Sequence, residues 1–171
     1  MGLVAATLGA HAVLTDRDPD CLALVEASVV ANADAVRAAG GSVRAAALDW
    51  AWPRGMPGIP YGSADLVIGS ELIYDSDCAQ QLPRVIAAVL SPTGRFLALM
   101  GVHDGRVDTL DAFFVSACAA GLELVDEPRA LRPSAAALDR AAGCAHDAEI
   151  SASKGRWSGY IRVEMRLAAQ A

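Results

Sequence analysis

Four apolar runs of this 171-residue chain each close on groups that could hold a ligand. Residues 12–15 end at Asp16, residues 42–48 run into Asp49-Trp50, residues 64–70 lead into Ser70-Glu71, and residues 95–102 lead into His103-Asp104. In doubly wound sheets ligands sit beyond the carboxyl ends of the strands, where the strand order reverses, so these positions come first. Asp16 offers the two-oxygen acceptor that a ribose diol needs. The competing reading is that it only closes the turn Asp16-Arg17-Asp18-Pro19. Asp49-Trp50 sets an acceptor beside a flat ring, which suits the exocyclic amine and face of a purine. Alternatively, Trp50 plugs the end of the sheet beneath a proline-rich loop. In Ser70-Glu71-Leu72-Ile73-Tyr74, Glu71 and Tyr74 are three apart and share one side if the segment turns helically. A carboxylate and a phenol there could hold an amine and help remove its proton; the plainer reading is a polar loop with a packed tyrosine.

These groups converge only if the runs between them are strands joined by helices. Asp18 is placed to cap a helix whose first position is Pro19. Leu22, Val25, Val29, Ala33 and Val36 then recur at helical spacing, and Gly40-Gly41 ends the run. Residues 42–48 predict a strand and residues 50–62 a proline- and glycine-rich loop. Residues 64–70 predict a buried strand, 77–90 a helix that Pro83 should kink, and 91–94 a turn. A strand over 95–102, a helix over 108–120 and a strand over 122–127 follow. Residues 128–156 read as irregular, with one helix near 134–142, and residues 157–167 alternate like a strand with one wet face. Helices alternating with fully apolar strands imply an α/β, Rossmann-like doubly wound, mostly parallel sheet. The alternating final strand is expected to run antiparallel. The chain is read as one domain, 1–171.

Composition narrows the partners. Hydrophobic residues make up 54% of the chain, the excess being largely alanine. The longest apolar run, 94–102, is strand-sized, so no membrane span is expected. Residues 1–10 lack the basic start and cleavage site of a signal peptide and read as a helix. The net charge of −6 argues against nucleic acid as a partner, since binding there needs a basic field. Through Asp75 there are nine acids against four arginines, a field that steers basic partners toward this half. Cys21, Cys78, Cys118 and Cys144 are too dispersed for a disulfide framework or a zinc site, and no metal is expected. A reducing cytoplasm is the expected setting.

Four pieces together carry a resemblance: Leu14-Thr15-Asp16, Asn32 at the end of the next helix, Leu48-Asp49-Trp50, and the run from Asp65 to Tyr74. They resemble the seven-β-strand protein-lysine methyltransferases, methyltransferase family 16, over roughly residues 1–121. The resemblance implies S-adenosyl-L-methionine as cofactor, with Asp16 on the ribose, Asp49 and Trp50 framing the adenine, and Ser70 along the methionine side. It implies Glu71 and Tyr74 as the catalytic acid-x-x-Tyr motif at the lysine of a protein substrate, with Glu where the family more often has Asp. In the family a strand and a Gly-x-Gly loop precede the helix that opens this sequence. The expectation is therefore an N-terminally truncated domain, short of cofactor contacts, whose neighbouring strand edges are left unpaired.

Other readings stay open at this stage. They are a methyltransferase of a small amine or a protein N-terminus, and a catalytically inactive methyltransferase-like binding module. A nicotinamide dehydrogenase would need a glycine fingerprint at its first strand and leaves Glu-x-x-Tyr unexplained.

Overall fold

The computed structural model describes residues 1–51, 58–103, 107–127, 129–131 and 157–169. The elements are, in order, α1 (Gly2–Thr7), β1 (His11–Asp16), α2 (Pro19–Ala31), α3 (Ala33–Ala38), β2 (Ser42–Ala47), β3 (Ala64–Ser70) and α4 (Ser76–Val89). Then come β4 (Leu90–His103), α5 (Val107–Ala119), β5 (Leu122–Leu124), β6 (Arg129–Leu131) and β7 (Trp157–Leu167). The α/β class and the antiparallel last strand are as expected. β1 pairs β2 and β3 pairs β4 in parallel, while β7 runs antiparallel to β4, β5 and β6.

The main core forms where one face of β4 and β7 meets α4 and α5. Phe96, Ala98 and Met100 alternate inward along β4, and the register sets Phe96 opposite Met165 and Ala98 opposite Val163. Leu82 and Ile86 of α4 and Phe113 and Ala117 of α5 cover that face. The Phe96 and Phe113 rings are tilted, with centroids 6.3 Å apart. Each such side chain contributes roughly 1.5–3 kcal/mol by leaving water, and Phe113→Ala should cost about 3–5 kcal/mol. A second cluster joins Leu48, just past β2, to Val85 and Val89 of α4. It ties the end of β2 to the larger sheet.

Local signals set most boundaries. Asp18 caps α2, its carboxylate accepting from the Asp20 amide at 2.8 Å and the Cys21 amide at 3.4 Å. Leu22, Val25 and Val29 are half-buried while Leu24 and Val30 face solvent, so the expected face is the covered one. The expected single helix breaks at Asn32, where the side-chain amide donates to the Ser28 carbonyl at 2.7 Å. An asparagine that bonds the backbone in this way competes with the helix ladder. α4 continues through Pro83, which is buried. β4 begins at Leu90, not residue 95: Ala64 pairs Leu90 and Leu66 pairs Arg95, so residues 91–94, read as a turn, form an unpaired irregularity inside the strand. β5 is shorter than expected, and β6 falls in a stretch read as irregular. The helix expected near 134–142 lies outside the described residues.

Among the described residues β1 pairs only with β2, and β3 only with β4, giving a two-stranded and a five-stranded sheet. Apolar side chains on these open-edged strands are left in solvent, Leu66 at 53% exposure and Val13 at 39%. Among the described residues no helix is long and apolar enough to cross a membrane, and no cluster of His, Cys, Asp and Glu is arranged to hold a metal.

Candidate active site

Asp16 and Ala47 end β1 and β2 at the same level of the parallel register. The next amide, that of Leu48, donates to the Asp16 carbonyl at 2.9 Å, which sets Asp49 beside the end of β1. Asp16 is half-buried, and its Oδ1 accepts from the Asp18 amide at 2.9 Å. Asp49 Oδ1 accepts from the Ala51 amide at 2.9 Å. Each aspartate thus closes a turn, as the plainer reading of Asp16 had it. A carboxylate has about four acceptor sites, so one backbone bond leaves capacity for a ligand. Trp50 is half-buried and packs against both hydrophobic clusters, which fixes its ring at the end of β2.

Ser70, the last residue of β3, is exposed. Glu71 follows with φ 53°, the single non-glycine with positive φ among the described residues. Its amide donates to the Leu99 carbonyl at 3.0 Å, carrying the β3–β4 ladder one residue further. The side chain is half-buried, with Oε1 shut off from solvent. Ile73 enters the core, whereas Tyr74 stands 58% exposed. The structure places Glu71 and Tyr74 in the same non-helical connection beyond β3, one partly enclosed and the other at the surface, so the helical turn that would set both on one side is not formed.

Asp75 was not among the site residues expected from the sequence. It caps α4 by accepting from the Cys78 amide at 2.8 Å. That bond first, then the Cys78 thiol, the Asp77 amide and the charge of Arg17, hold its carboxyl below the usual range. Arg17 follows β1, so its field links the end of the smaller sheet to the start of α4. An aspartate three residues before Cys78 and a lone arginine among acids were the available signals. Cys21 and Cys78 border the site as free thiols. The Asp16 carboxylate pushes the Cys21 thiol up, and burial pushes that of Cys78 up, so neither is an activated nucleophile. Of the fourth expected strand end, the backbone of His103 closes β4, and Asp104 lies outside the described residues. A groove of about 410 Å³ between α4 and α5, lined by Gln80, Arg84, Val115 and Ser116 among others, includes none of the strand-end groups.

These groups fit a nucleoside: two carboxylates with acceptor capacity and an indole, held at adjacent strand ends by backbone bonds and core packing. A sequence profile described as lysine methyltransferase matches residues 1–117. No curated protein sequence matches the chain. Among solved structures, a TehB-like SAM-dependent methyltransferase from Corynebacterium glutamicum aligns at TM-score 0.55 and 17% identity, over 97% of this chain and 73% of its own. A SAM-dependent methyltransferase from Methanosarcina mazei aligns at TM-score 0.65 and 9% identity, over 99% and 88%. A geranyl diphosphate methyltransferase in complex with SAM aligns at TM-score 0.65 and 11% identity, over 94% and 70%. At these identities the likeness establishes the Rossmann-like methyltransferase fold.

Proposed function

We propose that this chain, which belongs to the lysine methyltransferase family, methylates the side-chain amine of a lysine in a protein substrate. It is a methyltransferase by that membership, and the methyl donor is S-adenosylmethionine. When bound, the donor supplies an electrophilic methyl group on a sulfonium sulfur. In this reading Asp16 accepts from the ribose hydroxyls, Asp49 accepts from the adenine amine, and Trp50 covers the adenine face. Ser70 lines the methionine side.

Glu71 and Tyr74 receive the lysine. A lysine ammonium has an ordinary pKa near 10.4, so at pH 7 about one molecule in 2,500 carries the lone pair that attacks. Glu71 attracts the cation and orients it, then takes a proton from nitrogen as the amine turns toward the methyl group. Tyr74 offers its hydroxyl to the same nitrogen from the solvent side. Nitrogen would gain its bond to the methyl carbon as that carbon's bond to the sulfonium sulfur breaks, with S-adenosylhomocysteine leaving as the thioether, and the released proton passes from Glu71 to water. Positioning supplies much of the rate, because the amine is delivered in line and partly dehydrated.

The observation that supports this reading best is the partly enclosed Glu71 carboxylate, which directly follows a strand whose neighbours in the site suit a nucleoside. The acidic field around Asp16, Asp18, Asp20 and Asp75 favours approach of a cationic side chain. The dispersed cysteines support a cytoplasmic setting. The test is transfer of labelled methyl groups to a lysate and to lysine-containing peptides, followed by hydrolysis and amino-acid analysis. Label in methyllysine is the expected outcome; label confined to protein N-termini or small amines would overturn the lysine assignment.

A further inference from the structure

We infer that Leu72, folded back onto Gly69, is a positioning residue that holds the left-handed backbone of Glu71 and so sets the direction of its carboxylate. The inference rests on the reading of Glu71 as the group that meets the target amine. A Cβ built on Gly69 would fall inside the Leu72 side chain, 2.8 Å from its Cγ and 3.2 Å from its Cδ2. The isobutyl group therefore occupies the space that a side chain at residue 69 would fill. Leu72 in turn packs against the main core, and Ile73 beside it belongs to that core.

The turn is pinned at both ends as well. The Glu71 amide bonds Leu99 of the neighbouring strand at 3.0 Å, and Asp75 is fixed as the cap of α4 by the Cys78 amide. Four residues, Glu71 to Tyr74, must pass from the end of β3 into a helix between these two pins. A left-handed residue at the first of them makes the reversal that drops Leu72 onto Gly69. Glycine would adopt φ 53° without a steric penalty. Glutamate there is strained, and such strain persists only where the surroundings over-determine it. The lack of a side chain at residue 69 and the presence of a core-anchored leucine at residue 72 are that over-determination. The chain thus keeps a carboxylate at a backbone position that favours glycine.

The test combines stability and kinetics in the full chain, with E71G, L72A, L72M, G69A and G69A/L72A. Glu71→Gly should raise the urea midpoint of the parent, because it relieves the strain. The same substitution in the L72A background should gain less than half as much, because the turn there has already relaxed. Should L72A not fold, L72V replaces it in the cycle. An E71G change that lowers the midpoint, or that is equal in both backgrounds, overturns the inference whatever the activity. In methyl transfer, G69A should lower kcat by about 10-fold or more, with peptide KM and S-adenosylhomocysteine affinity within about 2-fold. L72M should restore most of the rate lost in L72A. G69A/L72A should be faster than G69A, since the clash is removed; a double variant no faster than G69A sinks the proposed contact. If instead no variant or parent yields methyllysine, the lysine reading fails, and the urea cycle still decides whether Leu72 holds the turn.

Discussion

Replacing Glu71 with Gln keeps the volume and the backbone conformation at the end of β3 but removes one negative charge. Oε1 is shut off from solvent and the side chain is half-buried, so the charge is only partly screened where the amine arrives. A hydrogen bond to a charged partner contributes about 1.5–3 kcal/mol. At 1.36 kcal/mol per decade, its loss slows the reaction by roughly 10- to 150-fold. Loss of a positioned proton acceptor adds to this, since such groups are worth about 10²–10⁴-fold. We expect kcat to fall about 10²-fold or more. S-adenosylhomocysteine affinity should barely change, because Glu71 is not among the residues proposed to hold the nucleoside. The assay is labelled methyl transfer to a lysine peptide, with calorimetric titration of the cofactor product in parallel. If E71Q methylates at the parent rate with unchanged KM, Glu71 is only a structural residue of the turn. A large loss of cofactor affinity would move it from the lysine to the donor.

Asp16→Ala should weaken S-adenosylhomocysteine binding by about 1.5–3 kcal/mol, and unchanged affinity by calorimetry removes Asp16 from the ribose. Tyr74→Phe should lower kcat less than E71Q does, since the ring stays in place; a loss equal to that of E71Q would make the phenol the main proton acceptor. Asp75 has its carboxyl held below its ordinary value of 3.8, so its contribution to stability is full above that value and is lost as pH falls through the lower folded one. Asp75→Asn should therefore flatten stability below about pH 4, and an acid unfolding limb identical to the parent's would refute the cap. Gly41→Ala should lower the unfolding free energy measured by urea titration by roughly 1–3 kcal/mol, because its Cβ would press on backbone, 2.9 Å from the Ala10 carbonyl oxygen and 3.2 Å from the Ala6 carbonyl carbon. Leu66→Lys, on the open-edged β3, should reduce concentration-dependent association in light scattering, and no change would mean that this edge is not sticky.

What was legible in the sequence is what neighbouring residues decide among themselves. The alternation over residues 157–167 became β7 with the same limits, because a strand with one wet face writes its period into the chain. Asp18-Pro19 started α2 because a cap needs only the next three amides. Asp16, Asp49 and Ser70-Glu71 were found at strand ends because apolar runs mark their own termini. Beyond that reach the outcome depended on contacts distant in sequence. Residues 91–94 became an irregularity inside one long strand, because Ala64 pairs with Leu90 and Leu66 with Arg95. The described strands divide into two sheets because a strand's edge is completed or left open by segments remote from it. Nothing in Gly69-Ser70-Glu71-Leu72 announces that Glu71 is left-handed or that Leu72 fills the space over Gly69. The sign of that φ follows from the Leu99 carbonyl, the core beneath Leu72 and the cap at Asp75 acting together. Sequence therefore named the carboxylate and the strand that carries it, while tertiary packing set its direction, because a dihedral can be held against its local preference only by atoms that the fold brings from elsewhere.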